Sequence, residues 1–173
     1  MTGAILVLLL VAALGGLGLA FVRERVRPAW AGGVLVLLLA AAGVLAWLGE
    51  EPDRLPWQVV AVAGVLAAVA GGGPVATAVL RAADPTAAAA AGGPGDPEVL
   101  RGGTWIGVFE RAAVAATLLG GWPEGLAVVL AVKGLGRYAE LKAPAAAERF
   151  IIGTLASALW AAACVGVVVL LRP

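Results

Sequence analysis

Residues 3–22 read GAILVLLLVAALGGLGLAFV, a stretch of twenty residues that contains no charge. A helix needs about 20 mainly apolar residues to cross the hydrocarbon layer of a bilayer, so this stretch is a complete candidate span. Basic and acidic residues follow it at once, at Arg23, Glu24, Arg25 and Arg27. A cleaved signal peptide carries its positive charge before the apolar region, so we predict a retained helix with its N-terminus outside the cytoplasm.

The whole chain shares this apolar character. Of its 173 residues, 62% are apolar or aromatic and 13% are charged, and the mean hydropathy is +1.00. Soluble domains average about 45–50% apolar and about 25% charged residues. The composition therefore excludes an ordinary water-soluble domain and predicts a membrane protein.

Charge and cysteine usage exclude several kinds of partner and site. Twelve basic residues against eleven acidic ones give a net charge of +1, which provides no overall field to attract nucleic acid. The chain has no histidine and a single cysteine, Cys164, so we expect no internal disulfide and no zinc, haem or iron–sulfur site. A metal held by carboxylates alone is left open, and we predict no cofactor.

Five further apolar segments predict additional spans. The sequence thus predicts an all-α membrane protein with about six transmembrane helices, at residues 3–22, 30–48, 57–80, 104–121, 124–138 and 147–171. The third is interrupted by Gly71-Gly72-Gly73-Pro74, where proline removes a backbone donor and glycine weakens the helix, so we expect a kink there. Gly120-Gly121-Trp122-Pro123 predicts a tight turn that makes the fourth and fifth spans an antiparallel hairpin.

The chain divides at a stretch that is too polar and too broken to cross a membrane. Residues 81–103 contain two Asp-Pro pairs, five consecutive alanines and Gly-Gly-Pro-Gly, a composition typical of a flexible linker. We predict an apolar three-helix half at 1–80, a flexible cytoplasmic linker at 81–103, and a three-helix half with a charged core at 104–173.

Basic residues in the loops predict the orientation. Starting from an N-terminus outside, six spans leave only Arg54 and Arg172 on the non-cytoplasmic side. Cytoplasmic loops carry an excess of Lys and Arg, so the predicted topology has both the N-terminus and the C-terminus non-cytoplasmic. The basic residues assigned to the cytoplasmic side are Arg23, Arg25, Arg27, Arg81, Arg101 and Lys142.

The second half carries charges inside its spans, whereas the first three spans are almost purely apolar. An ionised side chain at the centre of a spanning helix costs at least about 2.5–3.5 kcal/mol, so these charges are expected to pair. Counting about 1.5 Å per residue from the span ends brings them together in the cytoplasmic third of the membrane. The predicted network comprises Glu110, Arg111, Lys133, Arg137, Glu140, Glu148 and Arg149, with the hydroxyls of Thr154 and Ser157 beside it.

These residues form a pattern within residues 103–160. It reads Gly107-x-x-Glu110-Arg111, then Lys133-x-x-x-Arg137, then Glu148 followed by Gly153-Thr154 and Ser157. The pattern resembles that of a family of small bacterial integral-membrane proteins known only as a domain of unknown function. The resemblance implies a shared charged core and, with the helical spans, a multi-pass protein of the bacterial cytoplasmic (inner) membrane. It implies no activity and no substrate.

Two functions fit the network. In the first, the charges pair and fix the helix register of a structural or partner-binding membrane subunit, whose partners are membrane lipids, another protein or a second copy. In the second, the one cation in excess makes a pocket that binds or transports an anionic lipid headgroup or a small phosphorylated solute. A proton-coupled transporter would use Glu110 or Glu148 as the proton carrier. A lipid phosphate transferase or hydrolase with a glutamate as base is a third, less favoured function, because the sequence has neither a histidine nor an Asp-x-x-Asp pair. We predict no catalytic residue.

Overall fold

The computed structural model describes residues 1–21, 30–49, 56–83, 103–138, 140–142 and 144–172. These ranges contain six α-helices. The helices are α1 (Thr2–Phe21), α2 (Trp30–Leu48), α3 (Trp57–Ala83), α4 (Gly103–Leu119), α5 (Gly125–Gly136) and α6 (Pro144–Leu170), with a 3₁₀ turn at Glu140–Lys142 before α6. The predicted all-α class is confirmed.

Four of the helices are long and apolar enough to cross a membrane, namely α1, α2, α3 and α6. The other two are shorter, because α4 has 17 residues and α5 has 12. At 1.5 Å per residue α5 extends about 18 Å, well short of a hydrocarbon layer of about 30 Å. A membrane protein is therefore supported, while a count of six spans stays a prediction.

Helix α3 lies at the centre of the structure and packs against α1, α2, α4 and α6. Small residues allow this, since the buried positions of α3 are alanine, glycine and valine together with Pro74. A Cβ placed on Gly16 of α1 would lie 2.7 Å from backbone atoms of Ala70 and Gly71. Such close backbone approach is typical of helix pairs in membranes, where packing must substitute for the hydrophobic effect.

The hydrophobic core is a single cluster that draws residues from α1, α2, α3, α4 and α6. Its most deeply buried members include Leu9, Val60, Cys164 and Val168. Helix α3 of the predicted first half packs extensively against α6 of the predicted second half. The charged residues of the second half are therefore held against helices of the first.

The Gly71-Gly72-Gly73-Pro74 stretch does not interrupt the helix, because α3 continues through Pro74 to Ala83. Proline at this position lacks the N–H that would bond to the carbonyl of Ala70. One turn further, the Thr77 hydroxyl donates to the Gly73 carbonyl at 3.0 Å. The helix is thus continuous through the glycines and the proline, while the kink expected there stays a prediction; other hydrogen bonds to this part of α3 are described below.

The predicted hairpin between the fourth and fifth spans is confirmed. Helix α4 ends at a turn in which the N–H of Trp122 donates to the Thr117 carbonyl at 2.8 Å. Gly121 has a φ of 72° there, a left-handed conformation that glycine adopts without steric cost. Gly125 at the start of α5 then packs against the Thr117 methyl group.

Part of the predicted topology lies outside the described residues. This applies to linker residues 84–102 and to the loop residues Arg23, Arg25, Arg27, Arg54 and Arg101. At one end of the bundle, the Arg172 guanidinium lies 5.4 Å from the centre of the Trp57 ring. Arg81 lies in the last turn of α3, at the end opposite Trp57, and Lys142 is the last residue of the 3₁₀ turn that precedes α6. The count of basic residues on the two sides stays a prediction.

Candidate functional site

The candidate site contains an ion pair between α4 and α5. Lys133 Nζ donates to Glu110 Oε2 at 2.5 Å, and the two side chains are 19% and 15% exposed, respectively. The tight turn between the helices makes them antiparallel, which brings these positions level. Lys133 Nζ also lies 5.7 Å from the centre of the Phe150 ring on α6, a distance at which a cation–π contact is favourable.

Arg111, the next residue of α4, points away from α5 towards α3 and α6, since consecutive helix residues are about 100° apart. Its side chain is buried, with 7% of the residue exposed. Arg111 Nε donates to the Val69 carbonyl of α3 at 2.9 Å, and Nη1 donates to Ser157 Oγ of α6 at 3.4 Å. The guanidinium therefore links three helices.

Glycines on two helices make room for Arg111. A Cβ on Gly72 would collide with the Arg111 Cδ, and a Cβ on Gly107 would lie 3.0 Å from Nη1. Glycine at these positions weakens helices α3 and α4 intrinsically, and here it allows a long cationic side chain to lie between them. Gly107 therefore contributes to the site by leaving space for the Arg111 side chain.

Trp160 of α6 packs against α3 beside Arg111, where the neighbouring glycine Gly71 leaves space for its ring. Its Nε1 donates to the Ala67 carbonyl at 3.0 Å, and the residue is 4% exposed. A Cβ on Gly71 would lie 2.5 Å from the ring. The glycines before Pro74 therefore receive two large side chains, each hydrogen-bonded to a carbonyl of α3.

The sequence pattern did not predict these contacts of α3. Gly71 and Gly72 were expected to form a kink, and neither Val69 of α3 nor Trp160 of α6 was expected in the site. A usable signal was present, because two adjacent glycines in a long apolar helix accommodate close neighbours as well as a bend. The sequence alone gives no rotation of α3 relative to α4 and α6, so the partners could not be identified.

A cleft of about 250 Å³, including the part that opens outward, lies between α4, α5 and α6. The helices enclose only a small part of this volume. Its polar lining residues are Glu110, Arg111, Lys133, Thr154 and Ser157, and its apolar ones are Val114, Val129, Leu130 and Ala158.

One oxygen of this cleft has no partner in the described part of the chain. Glu110 Oε1 is buried and accepts no hydrogen bond there, whereas Oε2 of the same carboxylate is paired with Lys133. Buried polar atoms are nearly always hydrogen-bonded to protein or to ordered water. This oxygen is therefore the group in the cleft that requires a donor.

The structure brings together five of the nine predicted site residues. These five are the polar lining residues of the cleft, whereas Arg137, Glu148 and Arg149 do not line it. Glu148 is exposed, and Arg137 and Arg149 are half-buried and interact with other residues. Glu140 begins the 3₁₀ turn, and its side chain lies outside the described part.

Arg111 contacts the two long helices α3 and α6 at the middle of each. Val69 is the thirteenth of the 27 residues of α3, and Ser157 is the fourteenth of the 27 residues of α6. The position of the charges in the cytoplasmic third of the membrane stays a prediction.

The chemistry available in the cleft is that of one carboxylate, two cations and two hydroxyls. Within the ranges that the structure describes, no group of three His, Cys, Asp or Glu side chains could hold a metal ion. The only cysteine, Cys164, is buried in the hydrophobic core, away from the cleft lining. The arrangement suits charge pairing and hydrogen bonding.

Comparison with known proteins adds no relative to this description. No family model, no curated protein and no solved structure matches the chain. The resemblance of residues 103–160 to a bacterial membrane-protein family is therefore still an expectation. Functional conclusions rest on the geometry of the site.

Proposed function

We propose that this protein is a multi-pass subunit of the bacterial inner membrane with a structural or partner-binding role, in which the charges of α4 and α5 fix the helix arrangement. The observation that carries this proposal is the enclosed guanidinium of Arg111. Its Nε and Nη1 are bonded to Val69 and Ser157, so two of its donors are committed to α3 and α6. A cation held in this way serves helix packing.

The ion pair supports the same reading. Glu110 and Lys133 neutralise each other across the hairpin, and α5 packs mainly against α4. In hydrocarbon an unpaired charge is unfavourable by several kcal/mol, so the pair favours one register of the hairpin over others. Paired buried ions are best attested in this role of specifying an arrangement.

The size of the cleft weighs against the alternative function, binding or transport of an anionic headgroup or phosphorylated solute. The lining has a net charge of one positive unit, from Arg111 and Lys133 against Glu110. The helices enclose only a small part of the cleft volume, whereas a phosphate carries four oxygens around its phosphorus.

Native mass spectrometry of the protein purified in a mild detergent tests the proposed function. We expect a mass without a stoichiometric anionic lipid or phosphorylated solute, either alone or with another polypeptide. Lys133→Gln is expected to leave this ligand state unchanged. A phosphorylated ligand retained by the wild type, lost in Lys133→Gln and kept in the matched variant Lys142→Gln, would support the anion-binding function instead. Lys142 is exposed and lies outside the cleft lining.

The proposed topology has six spans with both termini non-cytoplasmic. Helix α5 is the critical element, because its 12 residues extend about 18 Å. A reporter fused after residue 173 is expected to be active only on the non-cytoplasmic side, as is a reporter placed before residue 1. A cytoplasmic result at the C-terminal position alone would indicate an odd number of spans, with α5 buried among its neighbours and not crossing.

A further inference from the structure

Two of the long helices, α3 and α6, extend beyond α1 and α2 at one end of the bundle. A Cβ on Gly32, the third residue of α2, would collide with the Ala78 methyl group of α3, so α2 begins within about one helical turn of that level. A Cβ on Gly153 of α6 would lie 3.3 Å from Leu80 Cδ1, which places Gly153 at nearly the same level. Residues 144–152 of α6 and 79–83 of α3 therefore extend about 14 and 8 Å further.

The lengths of α1 and α2 place this end relative to the bilayer. The two helices have 20 and 19 residues and no charge, and their lengths of about 30 and 29 Å equal the thickness of the hydrocarbon layer. Gly16 of α1 packs against Gly71 of α3, and α1 runs in the same direction as α3 and ends at Phe21, close to the level where α2 begins. The boundary of the hydrocarbon layer thus lies near Ala78, and the extensions of α3 and α6 lie beyond it.

Exposed aromatic side chains mark the same boundary. Helix α5 ends here, because the 3₁₀ turn leads directly from it to α6, and the antiparallel α4 begins here. Trp30 is the first residue of α2, Trp105 lies in the first turn of α4, and Tyr138 follows the end of α5. All three are exposed. Trp and Tyr are enriched where hydrocarbon meets headgroups, so this end of the bundle lies at a membrane surface.

Basic residues outnumber acidic ones beyond this boundary. Residues 79–83, 137–138, 140–142 and 144–152, together called the projecting end, include four basic and two acidic residues, which are Arg81, Arg137, Lys142 and Arg149 against Glu140 and Glu148. At the opposite end, the charged side chains in the described ranges are Glu124 and Arg172, whose charges cancel. The 3₁₀ turn packs against α6, so its charges lie beside the first turns of that helix.

Lys142 is the cation of the projecting end that is best placed to meet lipid. It is exposed, and its Nζ lies 6.0 Å from the centre of the exposed Tyr138 ring. The headgroup layer extends about 5–8 Å beyond the hydrocarbon on each side of a bilayer, a depth that the projecting end crosses. Arg81 and Arg149 make interactions within the protein and contribute through the local charge.

We propose that the projecting end is a binding surface for the headgroups of anionic lipids, with Lys142 as its principal contact. Basic clusters at a membrane end attract such headgroups electrostatically. The surface shares no residue with the lining of the cleft, and it requires a membrane-spanning chain but not the proposed subunit role. Headgroups on an exposed surface exchange with other lipids and are displaced by detergent, so the ligand-free mass expected above is unaffected.

Electron paramagnetic resonance with spin-labelled lipids tests the surface on the full chain in phosphatidylcholine bilayers. It compares how strongly labelled phosphatidylglycerol and labelled phosphatidylcholine associate with the protein. We expect a preference for phosphatidylglycerol of about two- to five-fold at low salt. The preference is expected to disappear between about 0.01 M and about 1 M salt, where the Debye length falls from about 30 Å to about 3 Å. Equal association at low salt would overturn the proposal, and a preference that persists at high salt would overturn its exposed location.

Two charge reversals at opposite ends of the bundle test the position of the surface. Lys142→Glu and Arg172→Glu change the net charge equally, and both residues are exposed. Lys142→Glu is expected to abolish the preference, Arg172→Glu to leave most of it, and Lys142→Arg to retain it. Equal losses in the two glutamate variants would overturn the assignment to the projecting end. The salt dependence of the wild type decides whether an anionic surface site exists even if a variant fails to fold.

Discussion

Gly16→Val is expected to destabilise the protein by about 1–3 kcal/mol, the range for overpacking a well-packed core. A Cβ at this position would lie 2.7 Å from Cα and N of Gly71 and from the carbonyl carbon of Ala70. These are backbone atoms, so no side-chain rotation relieves the contact and α1 must move away from α3. Because α3 also holds Arg111 and Trp160, the displacement would reach the site.

The free energy of unfolding in detergent, followed by tryptophan fluorescence, measures this effect. Gly18→Val is the matched control, since it lies on the same helix and a Cβ there meets nothing within 4 Å. The control also carries the same intrinsic helix propensity change. A loss of equal size in both variants would mean that the contact between α1 and α3 is not made as described.

Much of the fold could be predicted because the apolar segments are long and polar or turn-forming residues mark their ends. The segments at 30–48 and 57–80 correspond to α2 and α3, the latter extended to Ala83. Hydrophobic length is a strong signal in a membrane because the backbone must satisfy its own hydrogen bonds there. The fourth and fifth segments gave shorter helices, since Gly120 and Gly121 end α4 and the chain leaves α5 after Gly136.

The site was only partly predictable. Helix geometry explains which of its residues could be predicted from the sequence and which could not. Counting residues from the span ends placed Glu110 and Lys133 at a similar depth, and the structure pairs them. The same count placed Arg137 in the network, but its position after the end of α5 leaves it outside the cleft. Spacing along one helix gives depth, whereas side-chain partners also depend on the rotation of neighbouring helices.

Arg111 illustrates the part that the sequence could not supply. Its acceptor is a backbone carbonyl, that of Val69, and every residue has such a group. No side-chain pattern distinguishes Val69 from its neighbours. The adjacent Gly72 explains the choice after the fact, because the guanidinium can reach α3 only where a side chain is missing.

Breaking the ion pair from one side is expected to have the largest effect on stability of any change in the cleft. Glu110→Leu leaves Lys133 unpaired beside the Phe150 ring, and Lys133→Met leaves Glu110 without the donor to Oε2. Removing one partner of a buried pair destabilises by about 3–5 kcal/mol. We expect about 3 kcal/mol for each variant, because both side chains retain some exposure.

The double variant Glu110→Leu with Lys133→Met decides whether the pair acts as a unit. It removes both charges and keeps side chains of similar volume, so most of the lost stability is expected to return. Such replacements of buried ion pairs are often neutral or stabilising. The measurement is a double-mutant cycle on the free energy of unfolding, with a coupling of about 1–3 kcal/mol expected for residues in contact.

The matched control cycle combines Glu110→Leu with Lys142→Met. Lys142 is exposed and lies outside the cleft lining, so its effect is expected to add to that of Glu110 within about 0.5 kcal/mol, as it does for sites without shared partners. Strong coupling in the control and none between Glu110 and Lys133 would reverse the assignment of partners. Coupling only in the first cycle would mean that the ion pair between Glu110 and Lys133 sets the register of the hairpin. The hydrogen bonds of Arg111 would then connect α4 to α3 and α6 independently of that pair.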